Sequence, residues 1–414
     1  MDVSRICADL VAIRSENPPG RTDEVIEYIR DLFGQWGINS RILTNARGEC
    51  NLVTTGTGTD LLLCGHVDVV PAREDGWTRP PFSGAIEDGW VWGRGSTDMK
   101  GGCASLLGAC SAFVAGDIPL PATLAFVCDE ETGGDMGIRR LLSEGLIHPC
   151  DCLIAEPSPA GSPSIGQKGL CRMEIDFSGE PAHGSLYPAV GRSAIMEALD
   201  FMTFVRTLHE KEYPLSGDYE SIIEHSSCIL AQEFALPGVE SVLRKITYNP
   251  GTIQGGEKSN VVAQHCRLDL ELRIPWGCDI AGVVGDLRKH ARHGTIRSLV
   301  THEPSITDPA SRIVSRTCSA VDAVLGIGAA PIVQWAASDA RHLRNAGFPV
   351  VEYGPGEIST LHAVNERVRT GALENATEIY RRLMEDYIPI DPRENKKSDP
   401  ARSLSGHKMG MKTG

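Results

Sequence analysis

The chain has 414 residues, 41% of them apolar, with 40 basic against 54 acidic side chains and a formal net charge of −14. That apolar content excludes a wholly disordered chain, and the length suits two folded units better than one. The acidic balance argues against nucleic acid or an anionic membrane as the main partner, and ordinary solubility is the preferred reading of that charge.

Residues 1–10 carry charges and no apolar core, so they do not read as a signal peptide, and no stretch approaches 18 uninterrupted apolar residues. Helical spacing of Val25, Ile26, Ile29, Leu32 and Phe33 predicts a helix over 23–36. Strands are expected at 40–43, 51–54 and 61–64. A buried helix follows at 101–113, a strand at 123–128, a helix at 137–143 and a strand at 152–155. Strands alternating with helices imply an α/β layer with a mostly parallel sheet.

Near Gly169 the pattern changes. Residues 171–177 alternate as a half-exposed strand, 192–208 read as an amphipathic helix, and strands are expected at 251–254 and 261–274. A helix over 279–293 and a strand over 296–300 complete a β-α-β-β-α-β order that resembles a ferredoxin-like unit. The stretch 213–249 receives no assignment. A helix over 309–325, strands at 332–335 and 350–353, and a helix over 371–385 then resume the first pattern. The expected fold is therefore an α/β catalytic unit, 1–170 and 304–390, interrupted by an inserted ferredoxin-like α+β unit, 171–303. Residues 391–414 are polar and without period, and read as a disordered tail.

Thirteen cysteines include no C-x-x-C, and most sit among small and apolar neighbours as buried thiols do. Their odd number fits a reducing, cytoplasmic compartment better than a disulfide framework.

Five acidic or histidine sites close apolar runs: His66 with Asp68, Asp98, Glu130 with Glu131, Glu156, and His362. Side chains that can bind metal at successive strand ends build a metal centre along one sheet edge. Two imidazoles with several carboxylates exceed what one ion needs and suit a pair of divalent ions, which points to metal-assisted hydrolysis. His66 and Asp68 face the same way in an extended backbone, so the carboxylate could orient the imidazole or its neighbours from behind. Asp98 lies in a glycine-rich loop from which its two oxygens could bridge two ions. Glu130 and Glu131 point apart at a strand end, so one suits a metal and the other a proton. The bland reading, a solvated acidic loop, fits poorly directly after the apolar run 124–127. Zinc suits such N/O ligands first, with cobalt or manganese as alternatives.

The chain resembles the co-catalytic metallopeptidases that include acetylornithine deacetylase, succinyl-diaminopimelate desuccinylase, aminoacylase and carboxypeptidase G. The resemblance spans about residues 5–385. It rests on Gly65-His66-Val67-Asp68, residues 92–102 around Asp98, Asp129-Glu130-Glu131-Thr132-Gly133, Glu156-Pro157-Ser158, Ala182-His183-Gly184 and Gly255-Gly256-Glu257-Lys258-Ser259-Asn260. It implies that His66 and Glu156 hold one metal, that Glu131 and His362 hold the other, and that Asp98 bridges them. Glu130 would be the general base and Asp68 a partner of His66, and the Asp98–Met99 peptide would be cis. It further implies a homodimer through the inserted unit, with His183 reaching the partner's site to stabilise the oxyanion. Asn260 and Arg273 would contact substrate, although Arg273 reads equally as a surface strand residue.

Where desuccinylases of this family tend to carry an arginine pair and a serine, this chain has Gln167-Lys168-Gly169-Leu170, so Lys168 would have to supply a point charge to substrate. The activity expected is hydrolysis of the amide bond of an N-acyl amino acid or diamino acid. A carboxypeptidase or dipeptidase is the rival within enzymes, and an inactive metal-binding adaptor the rival outside them. Retention of Glu130 speaks against the adaptor.

Overall fold

The computed structural model describes residues 1–388 apart from 214, 216 and 235–237; the tail expected at 391–414 lies outside the described residues. In chain order the strands are β1 (Ser40–Thr44), β2 (Cys50–Thr54), β3 (Leu61–His66), β4 (Ala85–Glu87), β5 (Trp90–Trp92), β6 (Thr123–Val127), β7 (Asp151–Ile154), β8 (Ser164–Gln167), β9 (Gly169–Ser178), β10 (Thr247–Gly255), β11 (His265–Ile274), β12 (Gly294–His302), β13 (Ser305–Ile306), β14 (Ile332–Gln334), β15 (Val350–Glu352) and β16 (Arg367–Arg369). The α-helices are α1 (Val3–Ala12), α2 (Asp23–Gln35), α3 (Lys100–Ala115), α4 (Ile138–Ser143), α5 (Ala194–Leu208), α6 (Asp218–Phe234), α7 (Val239–Val242), α8 (Ile280–His290), α9 (Arg312–Leu325), α10 (Ala340–Asn345) and α11 (Thr370–Glu385).

The large sheet runs β1-β2-β6-β3-β7-β15-β8-β13, with β14 also paired to β8. Its centre, β6-β3-β7-β15, is parallel, and its edges β1–β2 and β8–β13 are antiparallel. Strands β2, β3, β7 and β15 are buried at every residue, as expected where helices cover both faces. Helices α1, α3 and α11 pack against one another, α9 lies beside α11, and α2 rests on β1 and β2. Helix α1, absent from the sequence expectation, is capped by Asp2, whose carboxylate accepts the N–H of Ser4 at 2.9 Å. Its far end is held by the Lys100 ammonium, which donates to Leu10 O at 2.9 Å and Ile13 O at 2.7 Å.

The second sheet, β10-β11-β9-β12, is antiparallel throughout. Alternate residues of β9 and β11 are buried, including Met173, Ile175, Leu268 and Leu270, and these meet α5 and α8 in a separate core. The last strand lies beside the first, the ferredoxin-like order that β-α-β-β-α-β implies. Pairing begins at His265, so residues 261–264, expected as strand, instead make an irregular approach.

The unassigned stretch 213–249 contains α6 and α7. Although it leaves the second unit between α5 and β10, it packs on the first. Ile223, Leu230 and Leu243 are buried in the larger core, and the rings of Phe234 and Trp335 lie 4.9 Å apart. Ser226 Oγ accepts the N–H of Val333 at 2.9 Å, satisfying an edge strand that would otherwise be open. Lys168, between the two sheets, donates to Val242 O and Lys245 O, each at 2.7 Å, and lies 3.3 Å from Thr247 Oγ1.

Candidate metal centre

Strands β6, β3 and β7 are parallel neighbours, so their carboxyl ends deliver Glu130 with Glu131, His66 and Glu156 to one place. The expectation that all five sites close strands needs correcting. Asp98 stands in the loop between β5 and α3, and His362 follows a 3-10 turn, Ile358–Thr360. Loop and sheet approach closely because α3 opens with glycines: a Cβ on Gly102 would sit 2.1 Å from Ala155 O. The Asp98–Met99 peptide is cis, as the resemblance implies.

Two groups of three ligand atoms share Asp98: His66, Asp98 and Glu156, and Asp98, Glu131 and His362. His66 Nε2 lies 3.1 Å from Asp98 Oδ1 and 3.6 Å from Glu156 Oε1. His362 Nε2 lies 3.2 Å from Asp98 Oδ2 and 3.5 Å from Glu131 Oε2. Each oxygen of Asp98 thus faces a different imidazole. His66 Nδ1 sits 2.9 Å from the carbonyl of Asp68; because that oxygen can only accept, Nδ1 carries the proton and Nε2 is left free as a ligand.

The electrostatics show a site lacking positive charge. Burial opposes a charge on His66, yet the carboxylates of Glu156, Asp68, Asp98 and Glu130 push its pKa well above the ordinary value. Hydrogen bonds to Asp98 and Glu131 raise His362 to about 10. Burial raises the pKa of Glu130 and Glu156 well above the carboxylate range, with neighbouring carboxylates adding to it. Glu131 Oε1 is buried without a hydrogen-bond partner. Mixed N/O ligands, a surplus of buried carboxylates and an orphaned carboxylate oxygen are what a pair of divalent ions would satisfy. Glu130 belongs to neither three-atom group.

Asp68 differs in detail from its expected part. Its carboxylate accepts the main-chain N–H of Glu130 and Glu131, both at 3.2 Å, and the amide of Asn17 at 2.9 Å, so the side chain holds the acidic turn while the Asp68 carbonyl holds His66. His183 and Asn260 come together at the edge of the second unit, where Gly184 N donates to Asn260 O at 2.8 Å. Both are exposed, and among the described residues no hydrogen bond or ion pair joins either to the metal-ligand cluster. Arg273 pairs with Glu271 at 2.8 Å, while its Nη1 is buried without a partner. Lys168 does not offer the open charge the sequence implied. It is 1% exposed, and two backbone carbonyls already take its ammonium.

Three buried residues went unread in the sequence: Asn17, Arg94 and Glu366. Glu366 stands four residues after His362, and that closeness to a candidate ligand is the signal that could have found it.

Residues 62–386 match peptidase family M20/M25/M40. The chain belongs to that family. It is 31% identical to a succinyl-diaminopimelate desuccinylase of Cereibacter sphaeroides, over 94% of this chain and 99% of that one. It is 28% identical to a probable succinyl-diaminopimelate desuccinylase of Staphylococcus epidermidis, over 94% and 98%. Among solved structures, an M20 family metallo-carboxypeptidase from Sulfolobus solfataricus superposes with a TM-score of 0.77 at 18% identity, covering 94% of this chain and 99% of that one. Human carnosine dipeptidase 1 does so at 0.70 and 15%, covering 93% and 96%. These likenesses establish the fold. Family membership makes the protein a metal-dependent hydrolase acting on amide bonds. Among the described residues no helix is long and apolar enough to cross a membrane.

Proposed function

We propose that this M20 member removes the acyl group from an N-acyl amino acid or diamino acid, with a desuccinylase-like reaction favoured. The observation that carries the reading is the pair of ligand groups sharing Asp98, with Glu130 left outside both. Near full-length similarity to desuccinylases supports the substrate class. The ligands His66, Asp98, Glu131, Glu156 and His362 would hold two ions, and zinc suits their mixed nitrogen and oxygen donors.

When bound, such ions supply Lewis acidity to a water and to the scissile carbonyl. Glu130 takes the proton from the attacking water and later passes it to the leaving amine. Its buried place favours a carboxylate ready to hold a proton, which is what both halves of that transfer require. Asn260 and Arg273 orient the substrate, the Arg273 side chain, 30% exposed, offering its guanidinium to a carboxylate.

A homodimer through the second unit completes the site. Leu186, Tyr187, Val190, Met196 and Leu199 are exposed around His183 and along α5, an apolar face in want of a partner. His183 of the partner subunit would then stabilise the oxyanion. Unpaired thiols at all thirteen cysteines support a reducing, cytoplasmic setting.

One observation favours the dipeptidase or carboxypeptidase reading. With Lys168 spent on carbonyls, it does not supply the cation that a succinyl carboxylate would use, and a peptide would not need it. The deciding experiment is a hydrolysis panel of N-succinyl-diaminopimelate, N-acetylornithine, N-acetyl-lysine and dipeptides, run on metal-loaded protein with a Glu130→Gln control. Acyl-substrate turnover that falls about 10²–10⁴-fold in the control, with ions retained, is expected. Preference for dipeptides would transfer the assignment to the rival reading, and a fully active Glu130→Gln protein would end the role given to Glu130.

A further inference from the structure

Glu366 is completely buried, and its carboxylate organises a loop that it does not belong to. Oε1 accepts the N–H of Gly95 and Thr97 at 3.0 Å and of Asp98 at 3.1 Å. Oε2 pairs with Arg94 Nη1, and Arg94 Nη2 donates to the carbonyl of His362 at 3.2 Å. The carbonyl of Glu366 in turn accepts the N–H of Gly93 at 2.9 Å. Three converging N–H groups and one guanidinium around a single carboxyl form an anion nest, which needs the full charge and not merely an acceptor.

We infer that the Arg94–Glu366 pair positions Asp98 and His362 together and so sets the affinity of the Asp98–Glu131–His362 half of the centre. The inference rests on the reading of this cluster as a two-ion site. The two halves are supported differently. His66 is nearly fully buried, its ring is fixed by the carbonyl of Asp68, and neither it nor Glu156 touches Glu366. His362, by contrast, has a side chain 54% exposed and a positive φ of 57°, and Arg94 holds its main chain. Loss of the pair therefore frees the His362 loop first, while Asp98, a ligand of both halves, keeps its Oδ1 against His66 Nε2 at 3.1 Å, so the His66–Glu156 half loses less.

The test is stepwise titration of apo-protein with zinc by calorimetry, on wild type, Glu366→Gln and the double variant Arg94→Gln/Glu366→Gln. The double variant leaves no unpaired buried charge and serves if the single one fails to fold; native far-UV circular dichroism confirms folding. Wild type is expected to show two steps. In the variants the first step should stay within about threefold, while the second weakens about 10–100-fold, the usual cost of losing a group behind a ligand. Raising the zinc concentration should then restore the hydrolysis rate, which a general loss of structure would not permit. Folded variants whose two steps are both unchanged, or weaken equally, would overturn the inference while leaving the two-ion reading intact. A wild type with fewer than two steps would overturn both.

Discussion

Asp68 accepts the main-chain N–H of Glu130, Oδ1 lying 3.2 Å from the nitrogen. The same carboxylate takes Glu131 N at 3.2 Å, whereas its nearest approach to His66 Nδ1 is 3.6 Å, longer than that ring's bond to the Asp68 carbonyl. The side chain is thus spent on the acidic turn, and the backbone on the imidazole. Asp68→Asn would set an amide N–H₂ against one of two N–H donors and push the turn away. Two bound ions and an unchanged first-ion affinity are expected, with kcat lower by about 10²-fold through displacement of Glu130. Metal titration beside steady-state kinetics checks this. Weakened first-ion binding with normal kcat at saturating metal would return Asp68 to His66.

His183 gives a prediction that does not depend on the substrate. If His183 of the partner subunit completes each site, His183→Ala and Glu130→Gln homodimers are both poor enzymes for different reasons. Subunits mixed by reversible dissociation should form heterodimers with one complete site, combining an intact Glu130 with the partner's His183. Activity in a 1:1 mixture should therefore rise well above either parent, towards about a quarter of wild type when subunits mix at random. A mixture that stays at the mean of its parents would show that His183 does not act across the interface.

The centre was legible in the sequence because strand ends and metal ligands leave local marks. His66, Glu130, Glu131 and Glu156 each follow a continuous apolar run, and those runs became β3, β6 and β7. Asp98 was marked by the glycines that let its loop approach the sheet. Tertiary supports were not legible. Arg94 and Glu366 lie 272 positions apart, and nothing local to either announces the other. Lys168 misled for a related reason: a lysine beside an expected site reads as an open charge unless the carbonyls that consume it are seen. Those carbonyls come from 213–249, whose helices pack across units and so lack the local pattern of either one.

That crossing segment makes its own prediction. Lys168 caps two carbonyls at the base of α7, and burial lowers its pKa to about 7. Lys168→Met preserves most of the stem packing but leaves both oxygens without their donor, at about 1–3 kcal/mol for each buried group. Relief from burying an ammonium offsets part of that cost. The expected outcome is a lower urea midpoint and faster proteolytic cleavage within 213–249, while zinc stoichiometry stays at two. An unchanged midpoint with an unchanged cleavage pattern would show that the lysine does not anchor the segment.

His342 makes the fold sensitive to acid through a group outside the ligand set. It is 8% exposed, its Nε2 lies 3.1 Å from Gly133 O, and its ring meets His302 edge-on at 5.6 Å. Burial first, and then the Arg341 charge, lowers its pKa to about 3. In the unfolded chain the same imidazole takes a proton near 6.5. Between those values the unfolded state binds more protons, so stability rises with pH and is lost as pH falls below about 6.5. His342→Gln can still donate to Gly133 O and has no proton to gain. Between pH 7 and 5 the wild type should therefore lose more stability than the variant, by on the order of 1 kcal/mol. Urea unfolding at both pH values, with metal chelated so that ligand protonation does not enter, measures the difference. Parallel losses in the two proteins would place the acid sensitivity elsewhere, whereas a flatter profile in the variant ties it to the neutral imidazole behind Gly133.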